Sequence, residues 1–453
     1  MVNKIGLSNY REIILCIIGL LYAIGASVYH PIILVSLVFL VYFFVNQKLL
    51  YLYTIPFFCL YLIFIPFGSA NFNVCYALLV FLGCLSFIFS FKTHIKQKAT
   101  WIFILYFLGI SAGLLYAPDI RLGIHLTLLN FIAFMTILVG QQIANNYSVE
   151  IILKNIILLG LPIGVLNVIF LLLPDLEISF LQSSLASLFI DSGALSVLFG
   201  EGYNNILDPR KAGTFFVNTN VAAVFFGMLF WTSISLRLKS TRRYYNVIII
   251  IYFLALISTN SRAGIGAIAF TILILILINI KKKKTWVRII LLSFPVLLLG
   301  IIFANTGLFS NVVDRLSINA IQSDPRMEIW RFALSHIHPI FGLGYGGWEQ
   351  ISFQMGESLS KLPPHNNFLI VWSWSGILGV FSLALLMFGV LFISVKRYVN
   401  TKNPIYIALI GSYATVLFQG MFDNYFLHNY RISTLLFMIT GLILFTKNKE
   451  KKP

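Results

Sequence analysis

Long apolar runs separated by short polar breaks dominate the chain. Most runs approach the roughly 20 residues that a helix needs to cross a hydrocarbon core. We read spans at 11–28, 30–45, 49–67, 73–91, 99–116, 121–144, 151–173, 214–236, 244–259, 262–280, 286–304, 367–395, 404–420 and 431–446. The pattern predicts an all-α polytopic membrane protein of about 12–14 transmembrane helices. The first run, IILCIIGLLYAIGASV, lacks a small-residue cleavage site and is expected to be retained as a span. Two long polar stretches interrupt the rhythm. The expected organisation is helices over 1–173, an outer loop over 174–213, central helices over 214–304, a large outer loop over 305–366, and final helices with a basic tail over 367–453.

Composition agrees with this pattern. The 453 residues are 59% hydrophobic and 10% charged, where soluble domains carry about 25% charged residues. The net charge of +17 would suit a nucleic-acid binder, but its distribution points elsewhere. Basic clusters recur at KTHIKQK (92–98), RLKSTRR (237–243), KKKKTWVR (281–288), VKRYVNTK (395–402) and KNKEKKP (447–453). They fall at every second boundary between apolar runs, which orients both termini and all five clusters toward the cytoplasm. The partner they imply is anionic inner-leaflet lipid, not nucleic acid. Cys16, Cys59, Cys75 and Cys84 sit inside apolar runs without metal-site spacing. No glycine-rich phosphate loop of the Walker type occurs, so ATP is not implied. No metal or other cofactor is expected.

Candidate chemistry gathers at the outer boundary. In NSRAGIGA (260–267), Arg262 opens a helix. A guanidinium there can grip phosphate oxygens beside the positive end of the helix dipole, or snorkel to lipid headgroups. Arg210 and Lys211 precede another helix start in DPRKAGTFFVNTN, where Gly213 and Thr214 suit a turn and a cap. They read equally as a solvated basic pair.

In DPRMEIWRFALSHIHP, Asp324 and Pro325 suit a helix N-terminus, with Arg326 beside its unpaired N–H groups. Met327, Trp330, Leu334 and Ile337 fall on one face, which predicts an amphipathic helix over the bundle. The glycines of FGLGYGGW (341–348) permit a flexible hairpin or close backbone approach to a ligand. His365, in PPHNNFLIVWSWSGILGV, meets the bundle from outside. Its imidazole is placed to take a proton from a sugar hydroxyl, or to cap the following helix.

Four segments taken together resemble the O-antigen ligase and O-unit polymerase family of bacterial envelope glycan assembly: RKAGTFFVNTNVAA (210–223), NSRAGIGA (260–267), DPRMEIWRFALSHIHPIFGLGYGGW (324–348) and HNNFLIVWSWSGILG (365–379). The resemblance is clearest over about 205–380. It implies a GT-C-like helical glycosyltransferase in the bacterial inner membrane, acting on its outer face. The implied donor is a glycan on undecaprenyl pyrophosphate, and the acceptor is a second glycan. Flippase and chain-length regulator proteins are implied partners.

By the same resemblance Arg210, Arg262 and Arg326 hold the pyrophosphate, with Lys211 as a neighbouring cation beside it, and His365 with Arg262 carries catalysis. The span count and two outer loops favour a polymerase of lipid-linked repeat units. The alternatives are a ligase that passes the glycan to a lipid A core or other acceptor, and a flippase or transporter of lipid-linked sugars. Charges gathered at the boundary, not at mid-membrane, weigh against transport.

Overall fold

The computed structural model describes residues 47–67, 70–198, 210–216, 218–279, 325–356, 359 and 362–445. The expected spans at 11–28, 30–45 and 286–304, the clusters at 281–288 and 447–453, and Cys16 and Asp324 lie outside the described residues.

The expected spans inside the described residues are helical over most of their length, but the expectation for 49–67 needs correction: its helix stops at Tyr61, where Leu62 turns left-handed, and Phe64–Phe67 is a strand. Five helices are long and apolar enough to cross a membrane: Ala99–Tyr116, Ile120–Asn146, Val149–Leu172, Thr219–Lys239 and Asn367–Thr401. Shorter apolar helices run Leu50–Tyr61, Cys75–Ile88, Tyr244–Ser258, Arg262–Ile278, Ile405–Gly420 and Tyr430–Leu444. The chain is an all-α integral membrane protein. Its sheet structure among the described residues is a two-stranded antiparallel ribbon, Phe64–Phe67 with Ala70–Asn73, paired Phe64 to Asn73.

Small residues let the helices approach closely, as packing without a hydrophobic driving force requires. Ile120–Asn146 lies along Tyr430–Leu444, where a Cβ on Gly441 would stand 2.5 Å from the Ile137 carbonyl oxygen. Thr219–Lys239 lies along Ile405–Gly420, where Trp231 fills the space left by Gly411. The 149–172 span is two helices that meet at Gly160, with Pro162 in the first turn of the second.

The two ends of the bundle differ in character. At one end Thr219–Lys239 finishes, Tyr244–Ser258 begins and Asn367–Thr401 finishes. This end carries the basic clusters 237–243 and 395–402, and Lys239 Nζ pairs with Glu150 Oε1 at 2.5 Å. At the other end the segments singled out in the sequence come together.

Two expectations in the large outer loop need correction. The helix over Arg326–His336 forms, but it buries Ile329, Ala333 and Ile337, while Met327 and Leu334 are exposed. The buried set packs on Trp348, which rotates the inward face away from Met327 and Leu334. The glycine segment is not a loose hairpin. It clasps the long helix at Gly376, which leaves helical geometry at φ 58° and ψ −149°. There Ile377 N donates to Ile340 O at 3.1 Å and Leu343 N to Ser373 O at 2.6 Å. On the other side Asp119 N donates to Tyr345 O at 3.0 Å, and Tyr345 Oη to Ile110 O at 2.7 Å.

Candidate functional site

The site is assembled from loop-to-helix junctions. Thr219–Lys239 begins at Asn218, whose side chain accepts from Asn220 N at 2.8 Å. This start lies five residues beyond the expected one, because Thr214 is not a cap. Thr214 is buried in a turn with φ 48°.

A carboxylate organises that turn. Glu177, on the helix Pro174–Gln182, presents Oε1 to Gly213 N at 2.8 Å and Thr214 N at 2.9 Å. Burial pushes its carboxyl up to about 7, against the two N–H groups that favour the anion. The segment so held carries Arg210, which is exposed, and Lys211, which is buried.

Arg262 stands next to this segment. Ala212 N donates to Ser258 O at 3.0 Å, and Asn260 Nδ2 to Arg210 O at 3.4 Å. Ser261 caps the Arg262–Ile278 helix by accepting from Gly264 N at 3.2 Å. Arg262 opens that helix half-buried, as the sequence predicted. The same turn is pressed against the Thr219–Lys239 helix, since a Cβ on Gly264 would stand 2.8 Å from Ala223 Cβ.

His365 lies one junction away. The cap of Asn367–Thr401 is Asn366, which accepts from Phe368 N at 2.8 Å and Leu369 N at 3.2 Å. His365 is thus relieved of the capping role, and its Nδ1 lies 3.2 Å from Asp423 Oδ1. A carboxylate can only accept, so Nδ1 carries the proton and Nε2 keeps its lone pair. The His365 side chain is 20% exposed and that of Asp423 is 3% exposed, so the acid is sealed and the ring is reachable.

Asp423 is held in turn. Asn220 Nδ2 donates to its Oδ2 at 3.1 Å and Asn424 N to its Oδ1 at 3.0 Å. Asn220 is fixed through its carbonyl, which accepts from Gln419 Nε2 at 2.6 Å. Tyr425 is hydrogen-bonded to Asp423 and to Asn218. Burial, with Asp423 beside it, holds the Tyr425 hydroxyl well above the ordinary phenol range, while Arg326 acts in the opposite sense. Arg326 therefore lies within electrostatic reach of this cluster. It opens the helix Arg326–His336, which is tied to the His365 loop by Trp330 Nε1 donating to Pro364 O at 2.8 Å.

All five residues singled out in the sequence thus stand at one end of the bundle. Arg210, Lys211 and Arg262 share one junction, and His365 and Arg326 share the Asp423–Tyr425 cluster. The Thr219–Lys239 helix joins the two through Ala223 and Asn220. Sequence reasoning missed Asp423, Asn220, Tyr425 and Glu177. The one available signal was an acid in the short outer connection between two spans. Among the described residues no group of three or more His, Cys, Asp and Glu is placed to hold a metal ion.

Chemically, the arrangement offers an imidazole base backed by a buried acid, beside guanidiniums suited to phosphate oxygens. Residues 247–384 match the family model described as O-antigen ligase. No curated protein matches the chain. The matched segment contains Arg262, Arg326 and His365, and over residues 247–384 the chain is similar to the O-antigen ligase family.

Proposed function

We propose that the protein polymerises oligosaccharide repeat units carried on undecaprenyl pyrophosphate, acting on the outer face of a bacterial inner membrane with both termini cytoplasmic. The observation that carries the reading is the 3.2 Å contact between His365 Nδ1 and Asp423 Oδ1, beside a cationic junction. His365 Nε2 takes the proton of the acceptor hydroxyl as its oxygen attacks the anomeric carbon of the donor sugar. A new C–O glycosidic bond forms. The anomeric C–O bond to phosphate breaks, and the pyrophosphate departs with the electron pair. Arg210, Lys211, Arg262 and Arg326 balance the charge that develops on it, which removes the need for a metal. The activated bond arrives with the substrate, so no nucleotide is required. The Asn218, Ser261 and Asn366 side chains fix three helix starts at this end of the bundle.

The test is purified protein in liposomes with a lipid-pyrophosphate oligosaccharide. Longer lipid-linked chains establish polymerisation. Transfer only to a different acceptor, such as a lipid A core, makes the protein a ligase, an activity that similarity to the matched family accommodates equally. Movement across the bilayer without a new bond would exclude both.

A further inference from the structure

Beside the Asp423 cluster lies a cavity of about 1000 Å³ that the reaction described so far does not use. Its apolar wall is supplied by the helix Val74–Ile95, through Ala77, Val80 and Phe81. Asn218 and Tyr425, both part of the hydrogen-bond network around Asp423, also line it.

Four polar groups lining this cavity have buried atoms without a hydrogen-bond partner: Asn73 Nδ2, Tyr76 Oη, Asn429 Oδ1 and Arg431 Nε. Native proteins leave few such atoms, and several around one cavity call for an explanation. Arg431 is 4% exposed. It donates to Phe215 O at 2.9 Å, Phe189 O at 2.6 Å and Tyr61 O at 3.3 Å, and its guanidinium lies 4.9 Å from the Phe216 ring centre. These partners carry no net charge, and among the described residues no carboxylate pairs with Arg431. The acid lining the cavity, Asp191, is exposed. A buried cation in such surroundings favours an anionic ligand. None of Arg210, Lys211, Arg262 and Arg326 lines this cavity.

We infer that the cavity binds the phosphate end of a second amphiphile, with Arg431, Asn73 and Tyr76 facing the headgroup and the 77–81 wall facing its chain. The inference rests on the glycosyl-transfer reading and deepens it. The bound amphiphile is the acceptor, itself a lipid-linked phosphate. Its sugar end approaches His365 past Asn218 and Tyr425. The motif arginines are left to the donor, so two lipid phosphates flank one base.

The probe is undecaprenyl pyrophosphate, and the readout is the number of molecules bound to detergent-purified protein by native mass spectrometry. The wild type is expected to bind two. Ala77→Trp, at an exposed position on the cavity wall, is expected to bind one. Tyr76→Phe removes a hydroxyl with no partner in the fold. It is expected to keep the melting temperature while weakening the second binding event about tenfold, the scale of one lost hydrogen bond to a charged group. Arg262→Ala is expected to lose the other molecule and keep this one. Unchanged binding of two in both Ala77→Trp and Tyr76→Phe overturns the inference and leaves the donor reading intact. Loss of one in Ala77→Trp but none in Arg262→Ala supports the cavity and defeats the arginine assignment. Displacement of the second molecule by equimolar phosphatidylglycerol would show the occupant to be ordinary phospholipid, which also overturns the acceptor assignment.

Discussion

Asp423 Oδ1 lies 3.2 Å from His365 Nδ1, joining the entry of one long helix to the exit of another across 58 residues of chain. The pairing fixes the ring's tautomer and its direction together. Replacing His365 by Ala should lower turnover of lipid-linked glycan by about 10²–10⁴, the usual share of a general base. Asp423→Ala should cost less, because the ring keeps some basicity without its partner. The double variant should be no slower than His365→Ala alone, since Asp423 acts through the imidazole. Losses that multiply in single-turnover measurements would refute the pairing.

Arg262 is asked to do what a point charge does poorly. A planar guanidinium can meet two phosphate oxygens at once. Arg262→Lys should retain the charge, lose that geometry, and cut turnover at least about tenfold, while Arg262→Ala should approach 10²–10³. Binding of pyrophosphate-bearing donor, measured at equilibrium, should fall alongside. The helix itself should persist in both variants, since its cap is Ser261 and not the arginine.

Glu177 gives the site a pH dependence with a defined sign. Its carboxyl titrates near 7 in the fold, against an ordinary 4.5, because burial disfavours the charge. Between those values the folded chain keeps a proton that the unfolded chain has released. The contribution to stability is full below pH 4.5 and is lost as pH rises through about 7. It amounts to no more than about 3.5 kcal/mol, at roughly 1.4 kcal/mol per unit. Thermal unfolding in detergent between pH 5 and 8 should show the wild type losing several degrees more than Glu177→Gln. Parallel curves would place the titration elsewhere.

The spans were legible because membrane insertion is written in local composition. The site was legible only in part. Arg262 and Arg326 open helices whose starts are marked by Ser261 and Pro325, so their placement follows from local signals. Asp423 carries no such mark, because its role depends on Asn220 and His365 arriving from distant segments. The inward face of the 326–336 helix was misread for a related reason. Spacing shows that a face exists, but Trp348, from the next segment, decides which one is covered. Likewise Thr214 has the chemistry of a cap, yet Glu177 holds it in a left-handed turn before the helix begins.

Gly376 should be intolerant of any side chain. A Cβ there would sit 1.9 Å from the Ile340 carbonyl oxygen, at a φ of 58° that L-residues resist. Gly376→Ala should destabilise by more than the roughly 1–3 kcal/mol that this backbone region costs a non-glycine residue. It should also lower turnover, because the clasp at Ile340 sets the half-helix that begins beside His365. Wild-type melting and activity together would remove the clasp from the argument.

Thr214, Asn260 and His365 all adopt positive φ, at 48°, 52° and 48°, where the segments bearing the candidate residues converge. Asparagine and histidine enter that region more often than most residues; β-branched threonine rarely does. At position 365 a histidine can take the left-handed corner and supply the imidazole at once. What the protein gains from that corner is aim: the ring leaves a tight bend in one direction, and only the assembled bundle can keep it there.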